Sequence, residues 1–302
     1  MELRLMRLFV TGGAGHTGCN FLKFYLSDSK DNQAVTLVRR GTNRKFLPPE
    51  FGDRLVLVEG DLSEVGVSKV MAGCDAVMHI AHQTLCPQVA AAALGAGISR
   101  VFFVTTTGVY SKFNDLSRGY REIEENIRQS GLDWTILRPT MIYGSERDVN
   151  IHKLLRFLDT HKLFPVFGDG KSLMQPVFAS DLAMGLLLAV KNTDKTMYKE
   201  YNLPGRSPLT YNEIVTVAVK ELGRKAVLIH IPHTFSLLLA LIAESIFRSR
   251  SPVKSEQIRR LCEDKVFSWS DAKKDFGYSP GSFAEKIALE VAHLRSIGLL
   301  TN

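Results

Sequence analysis

The chain is built of short, almost wholly apolar runs separated by amphipathic stretches. Leu5–Thr11, Ala34–Val38, Leu55–Glu59, Ala76–Ala81, Val101–Thr105 and Trp134–Arg138 are runs of this kind with little alternation. Strands covered by helices on both faces read this way. Between them, Cys19–Leu26, the alanine-rich Pro87–Ala96 and Ser117–Gln129 carry helical patterns, the last stopped by Gly131. Regular alternation of strand and helix predicts a doubly wound parallel α/β sheet. The second half is less regular. It predicts helices over Asn150–Thr160, from a Ser180-Asp181 cap through Val190, from a Thr210 cap to Gly223, and over Phe283–Leu294, with short strands at Tyr201–Leu203 and Val227–Ile231. Residues 1–148, with 177–204 returning to them, are expected to form the sheet domain. Residues 149–176 and 205–302 are expected to form a smaller C-terminal α+β lobe. Thr234–Phe247 is strongly apolar but shorter than the roughly 18 residues of a membrane span. It reads as a buried or dimer-forming helix, with a membrane-surface position as the alternative.

The first strand runs into Gly12-Gly13-Ala14-Gly15-His16-Thr17-Gly18, which opens the first helix. Glycines at 12, 15 and 18 are spaced as a strand–turn–helix unit needs to hold a dinucleotide. The first permits a tight turn, the second a close approach to the pyrophosphate, and the third close packing of helix and strand. The amides of the helix N-terminus and its dipole would face the phosphates. The second strand ends at Arg39-Arg40 rather than at a carboxylate. A guanidinium there suits a 2′-phosphate, so NADP is expected in preference to NAD; two solvated surface arginines are the alternative. Asp61 closes the third strand, placed either to accept from an adenine amino group or to cap the next helix with Ser63 and Glu64 nearby.

The 302 residues carry a formal net charge of +7. That suits an anionic ligand. No basic helix or aromatic–basic module is present, so nucleic acid is not an expected partner. Cys19, Cys74, Cys86 and Cys262 form no metal-ligand pattern, and no metal is expected. The first strand begins near Met1, and a cytoplasmic location is expected.

Thr11–Gly18, Gly60-Asp61-Leu62, His79-Ile80-Ala81, Thr106-Thr107-Gly108-Val109-Tyr110, Leu137-Arg138-Pro139, Ile142-Tyr143-Gly144, Ser180–Ala183 and Ala272–Pro280 follow one another in order. Over nearly the whole chain this set resembles the NAD(P)-dependent epimerase/dehydratase family, the extended or atypical branch of the short-chain dehydrogenase/reductases. The resemblance implies a Rossmann-type fold with a dinucleotide domain, a small C-terminal substrate lobe, chemistry at the nicotinamide and a nucleotide-sugar substrate. Cofactor contacts are then expected at Gly12, Gly13, Ala14, Gly15, His16, Thr17, Gly18, Arg39, Arg40, Asp61, Leu62, Ala81, Thr105 and Pro139. Substrate contacts are expected at His82, Thr107, Tyr143 and Gln175, and a homodimer is a candidate assembly.

One family feature is not matched. Such enzymes carry Tyr-x-x-x-Lys on the helix after the fifth strand, where an ammonium lowers the phenol's pKa from about 10. Counted back from Glu124-Glu125, the two positions fall on Leu116 and Tyr120; the other register pairs Tyr120 with Glu124. A hydroxyl residue stands where expected, at Thr106. Catalysis is therefore expected from Thr106 with Tyr120 or His82, an imidazole being suited to proton transfer near neutral pH. The expected function is an NAD(P)-dependent oxidoreductase or epimerase. The alternative is an NADP-binding sensor or scaffold that has lost catalysis.

Overall fold

The computed structural model describes residues 7–62, 66–112, 115–247 and 263–301. Ser63 and Glu64, which follow Asp61 in its expected capping role, and Cys262 lie outside them. In chain order the first half runs β1 (Arg7–Thr11), α1 (His16–Asp28), β2 (Gln33–Val38), β3 (Leu55–Glu59), α2 (Val67–Met71), β4 (Ala76–His79), α3 (Cys86–Gly95), β5 (Arg100–Val104), α4 (Asp115–Arg128) and β6 (Asp133–Pro139). There follow β7 (Ile142–Tyr143), α5 (Ile151–Thr160), β8 (Leu163–Phe167), β9 (Leu173–Met174), β10 (Val177–Phe178), α6 (Ala179–Lys191), α7 (Thr193–Thr196) and β11 (Lys199–Leu203). The last elements are β12 (Leu209–Thr210), α8 (Tyr211–Leu222), β13 (Val227–Ile231), α9 (His233–Phe247), α10 (Ser270–Phe276) and α11 (Phe283–Ser296).

Seven strands form one parallel sheet in the order β11-β6-β5-β4-β1-β2-β3. Alternate residues of each central strand serve opposite faces. Leu8, Val10 and Phe102 pack with Phe21, Leu22 and Leu186 under α1 and α6. Phe9, Val77, Val101 and Phe103 pack with Met71, Val89 and Ile127 under α2, α3 and α4. A fully buried phenylalanine contributes about 2–3 kcal/mol, so this two-sided covering explains why these strands lack polar alternation. The run at β3 reads the same in sequence but differs in place. It is an edge strand, and Val56 and Leu57 are exposed.

A second core joins α5, α8 and α11 through Leu155, Ile214 and Ile287. The expected cap at Thr210 is present as a reciprocal box with Glu213, and Gly223 ends α8 at φ +68°. The expected Ser180-Asp181 cap is not. Helix α6 starts at Ala179 without a side-chain cap. Asp181 instead accepts from the Gly281 amide at 2.8 Å and pairs with Lys286 Nζ at 2.7 Å, tying α6 to the start of α11. Helix α9 departs from the buried reading, since Phe235, Leu238 and Leu241 on it are exposed. None of the described helices is long and apolar enough to cross a membrane.

Candidate functional site

Strands β1 and β4 are neighbours, and chain order diverges on either side of them. A parallel sheet opens a ligand crevice beyond its strand ends at such a point. The turn after β1 presses onto the segment after β4. Gly12 has φ +74°, and a Cβ there would lie 2.6 Å from the Ala81 amide nitrogen. Within the turn, the Gly15 amide donates to the Gly12 carbonyl at 2.8 Å. Helix α1 then begins with Gly15 as N-cap, no side-chain cap and no acidic residue in its first turn. Its leading amides are left for an anion, and Gly15 is exposed. The residues present therefore fit a dinucleotide phosphate. A Cβ at Gly18 would stand 2.1 Å from the Gly12 carbonyl oxygen. Gly18→Ala must push the turn open. It is expected to cost about 1–3 kcal/mol in stability and to weaken dinucleotide binding, both readable by ligand-induced thermal shift.

The other side of the crevice comes from the end of β5. Thr106 is half-buried, and its Oγ1 accepts from the Gly108 amide at 3.1 Å. A threonine hydroxyl keeps its own proton to donate in that arrangement. A Cβ built on Gly108 would lie 3.1 Å from the Tyr120 ring and 3.2 Å from the Thr106 methyl. Absence of a side chain at 108 thus lets Tyr120, on α4, come in beside Thr106. His82, exposed just past β4, turns its Nδ1 to the Thr84 hydroxyl at 2.9 Å and caps the short turn that follows. His79 is fully buried, bonded to Thr11 Oγ1 at 2.6 Å, and burial holds its pKa down to about 4.

Several expected site residues have other partners. Thr105 donates its hydroxyl to Glu124 Oε1 at 2.9 Å, so only its backbone is left to face a ligand. Thr107 donates to the Pro139 carbonyl at 3.2 Å. Tyr143 does not line the crevice; it is 1% exposed and packed between Phe178 and Phe283. Gln175 is also buried, with its amide spent on the Gly205 carbonyl at 2.8 Å and the Phe267 amide at 3.0 Å. Both belong to the wall behind the site because β7 and the β9–β10 connection pack into the second core. Arg39 and Arg40 are exposed just past β2, and Asp61 and Leu62 are half-buried beyond β3.

Behind the β5 and β6 strand ends lies a buried charge network. Arg138 donates from Nε to Glu124 Oε1 at 2.8 Å and from Nη2 to Glu124 Oε2 at 2.6 Å, and it also pairs with Glu200. Arg128 reaches Glu200 at 2.6 Å and Glu124 at 3.3 Å. Burial works against the charge of Arg138, but its hydrogen bonds to Glu124 and Glu200 outweigh it and raise its pKa.

The segment Ser145–Asp148, past β7, was not singled out in the sequence. It fastens the glycine turn to helix α11 of the second core. Ser145 Oγ meets His16 Nε2 at 3.1 Å, and Glu146 meets His293 Nε2 at 2.7 Å. Arg147 donates to the Ala14 carbonyl, and Asp148 accepts the Asn150 amide at 2.8 Å. Next to this segment Asn150, Lys153, Phe157, Phe164, Phe167 and Tyr211 line a cavity of about 340 Å³. Its residues come from α5, β8 and α8, so only folding brings them together. A serine followed by three charged residues, after a Tyr-Gly pair, was the only local signal.

Two family models match the chain. One, described as NAD(P)H-binding, matches residues 12–155; the other, the NAD dependent epimerase/dehydratase family, matches residues 117–203. Together the two matches span residues 12–203 and make this chain similar to NAD(P)-binding proteins of the epimerase/dehydratase family. Among curated relatives, a 4-hydroxy-2-methyl-3-oxo-4-farnesyl-3,4-dihydroquinoline-1-oxide ketoreductase of Stigmatella aurantiaca is 24% identical, over 91% of this chain and 92% of its own. An N-acetyl-alpha-D-glucosaminyl-diphospho-ditrans,octacis-undecaprenol 4-epimerase of Escherichia coli O157:H7 is 22% identical, over 57% of this chain and 58% of its own. The chain thus spans little more than half of the latter relative. The dTDP-glucose 4,6-dehydratase of Streptomyces venezuelae, solved with NAD and TYD bound, superposes with a TM-score of 0.73. It is 22% identical, covers 96% of this chain and 97% of its own, and shares the fold.

Proposed function

We propose that this protein is a member of the epimerase/dehydratase family, an NADP(H)-dependent oxidoreductase or epimerase acting on a nucleotide sugar or a related carbonyl or hydroxyl compound. The observation that carries the reading is the meeting of Thr106 and Tyr120 around Gly108, at the strand ends facing the uncapped start of α1. The leading amides of α1 and the turn Gly12–Gly18 would hold the pyrophosphate, with Ala81, Asp61 and Leu62 along the adenosine side. Arg39 and Arg40, exposed past β2, supply the charge for a 2′-phosphate and favour NADP. A bound nicotinamide supplies hydride transfer. Thr106 donates its hydroxyl proton in a hydrogen bond to the reacting oxygen, and Tyr120 moves the proton, with His82 as the other candidate. The cavity walled by Phe157, Phe164, Phe167 and Tyr211 suits a stacked base, and Lys153 a phosphate. Residues 1–148 with 177–204 act as the cofactor domain and the remainder as the substrate lobe. A second copy would cover the exposed side chains of α9, and a cytoplasmic location fits the whole.

The related ketoreductase, epimerases and dehydratases support an enzyme. The catalytically silent sensor is not favoured. The test is turnover of bound NADP(H) with a panel of UDP- and dTDP-sugars, followed by cofactor absorbance and product analysis. Thr106→Val and Tyr120→Phe are each expected to lower turnover by roughly 10²-fold while leaving cofactor affinity in place. Undiminished turnover by Tyr120→Phe would remove its role and leave His82→Phe as the deciding variant.

A further inference from the structure

Arg147 holds a guanidinium at the phosphate end of α1. It donates to the Ala14 carbonyl inside the glycine turn, and its Nη1 reaches Cys19 Sγ at 3.6 Å. Its plane lies over the Phe46 ring, 4.4 Å from the centroid. Phe46 belongs to the loop after β2, so the side chain spans from that loop to the turn.

The charge of Arg147 has no carboxylate partner among the described residues. Both acids beside it in sequence are committed elsewhere. Glu146 is paired with His293 at 2.7 Å, and Asp148 accepts from the Asn150 and His152 amides at 2.8 and 3.2 Å. His16, at the turn, is kept neutral. Burial, and after it the charge of Arg147, lowers its pKa to about 4. A lone guanidinium beside the positive pole of a helix is unfavourable by itself. An anion seated on the leading amides of α1 would satisfy both.

We propose that Arg147 is a pyrophosphate-binding residue of the dinucleotide site, held in place by the Phe46 ring and the Ala14 carbonyl. The proposal rests on the reading of the glycine turn as that site. A cofactor pyrophosphate carries two negative charges. The guanidinium meets one of them, and the α1 dipole, equivalent to about half a charge, meets part of the other. The sequence placed no charged side chain in this role, because 147 is remote from the turn and comes to it only through β7.

Calorimetric titration of Arg147→Met against NADP, NAD, ADP and adenosine tests this. Methionine keeps an apolar stem against Phe46 and removes the charge. Affinity for NADP, NAD and ADP is expected to fall by a common factor of about 10- to 100-fold, with adenosine unchanged and a shallower dependence on salt. Arg147→Lys, which keeps the charge without the fork, is expected to retain part of the affinity. It is also the variant to use if Arg147→Met does not fold. Unchanged affinity overturns the proposal. So does a loss confined to NADP, which would assign Arg147 to the 2′-phosphate. If the wild-type protein binds ADP but no dinucleotide, the dinucleotide reading falls while a loss of ADP affinity in Arg147→Met still supports a phosphate contact. If it binds neither, both fall.

Discussion

Glu124→Ala is expected to destabilise the protein by about 3–5 kcal/mol, read as a lower urea midpoint with an unchanged slope. The side chains of Glu124 and Arg138 are 2% and 5% exposed, and the carboxylate accepts from both Arg138 and Thr105. Removing it leaves Arg138 buried with only Glu200 as an acidic partner and strands the Thr105 hydroxyl. Loss of one member of a buried pair costs more than the pair itself contributes. The double variant Glu124→Met/Arg138→Met is therefore expected to be less destabilised than Glu124→Ala alone. Equal or greater destabilisation of the double variant would show that packing, not charge, accounts for the effect. Thr105 precedes Thr106, so loosening this network is also expected to lower turnover in the fraction that remains folded.

Glu290→Gln is expected to stabilise the protein at pH 7, by about 2–3 kcal/mol. Glu290 on α11 is fully buried, and neither of its carboxyl oxygens accepts a hydrogen bond. Burial, with the neighbouring Asp148 adding to it, pushes the Glu290 pKa up to about 10. Glu290 therefore keeps its proton in the folded protein at neutral pH and donates it towards Asp148. In the unfolded chain the same group ionises near 4.5. A raised folded pKa contributes stability that is fully present below the unfolded value and is lost as pH rises towards the folded one. The wild-type protein should accordingly lose stability between about pH 4.5 and 10 through this group, and Glu290→Gln should flatten that slope. Glutamine mimics the protonated acid, so the substitution keeps the donor. Parallel wild-type and variant curves of stability against pH would show that Glu290 ionises in the folded state as it does in the unfolded chain.

Much of the sheet was legible because its signal is local. Leu8, Phe9 and Val10 are apolar in sequence because both faces of β1 are covered, and the same holds at β4, β5 and β6. The strand at β3 was legible as an element but not as an edge, since pairing order is not a property of one segment. Caps divided in the same way. Thr210 met Glu213 three residues on and was read correctly, whereas Asp181 has a distant partner, Lys286, that no local pattern announces.

The site divided along the same line. The chain by itself determined the close-packed glycine turn and the uncapped start of α1, because spacing along a strand–turn–helix unit fixes where the backbone can approach closely. Tertiary structure decided the rest. It buried Tyr143 and Gln175, brought Tyr120 to Thr106 across Gly108, and carried Arg147 to Ala14. Those outcomes depend on contacts between residues far apart in sequence, and the free energy of such contacts exists only once the sheet and the second core have closed around them.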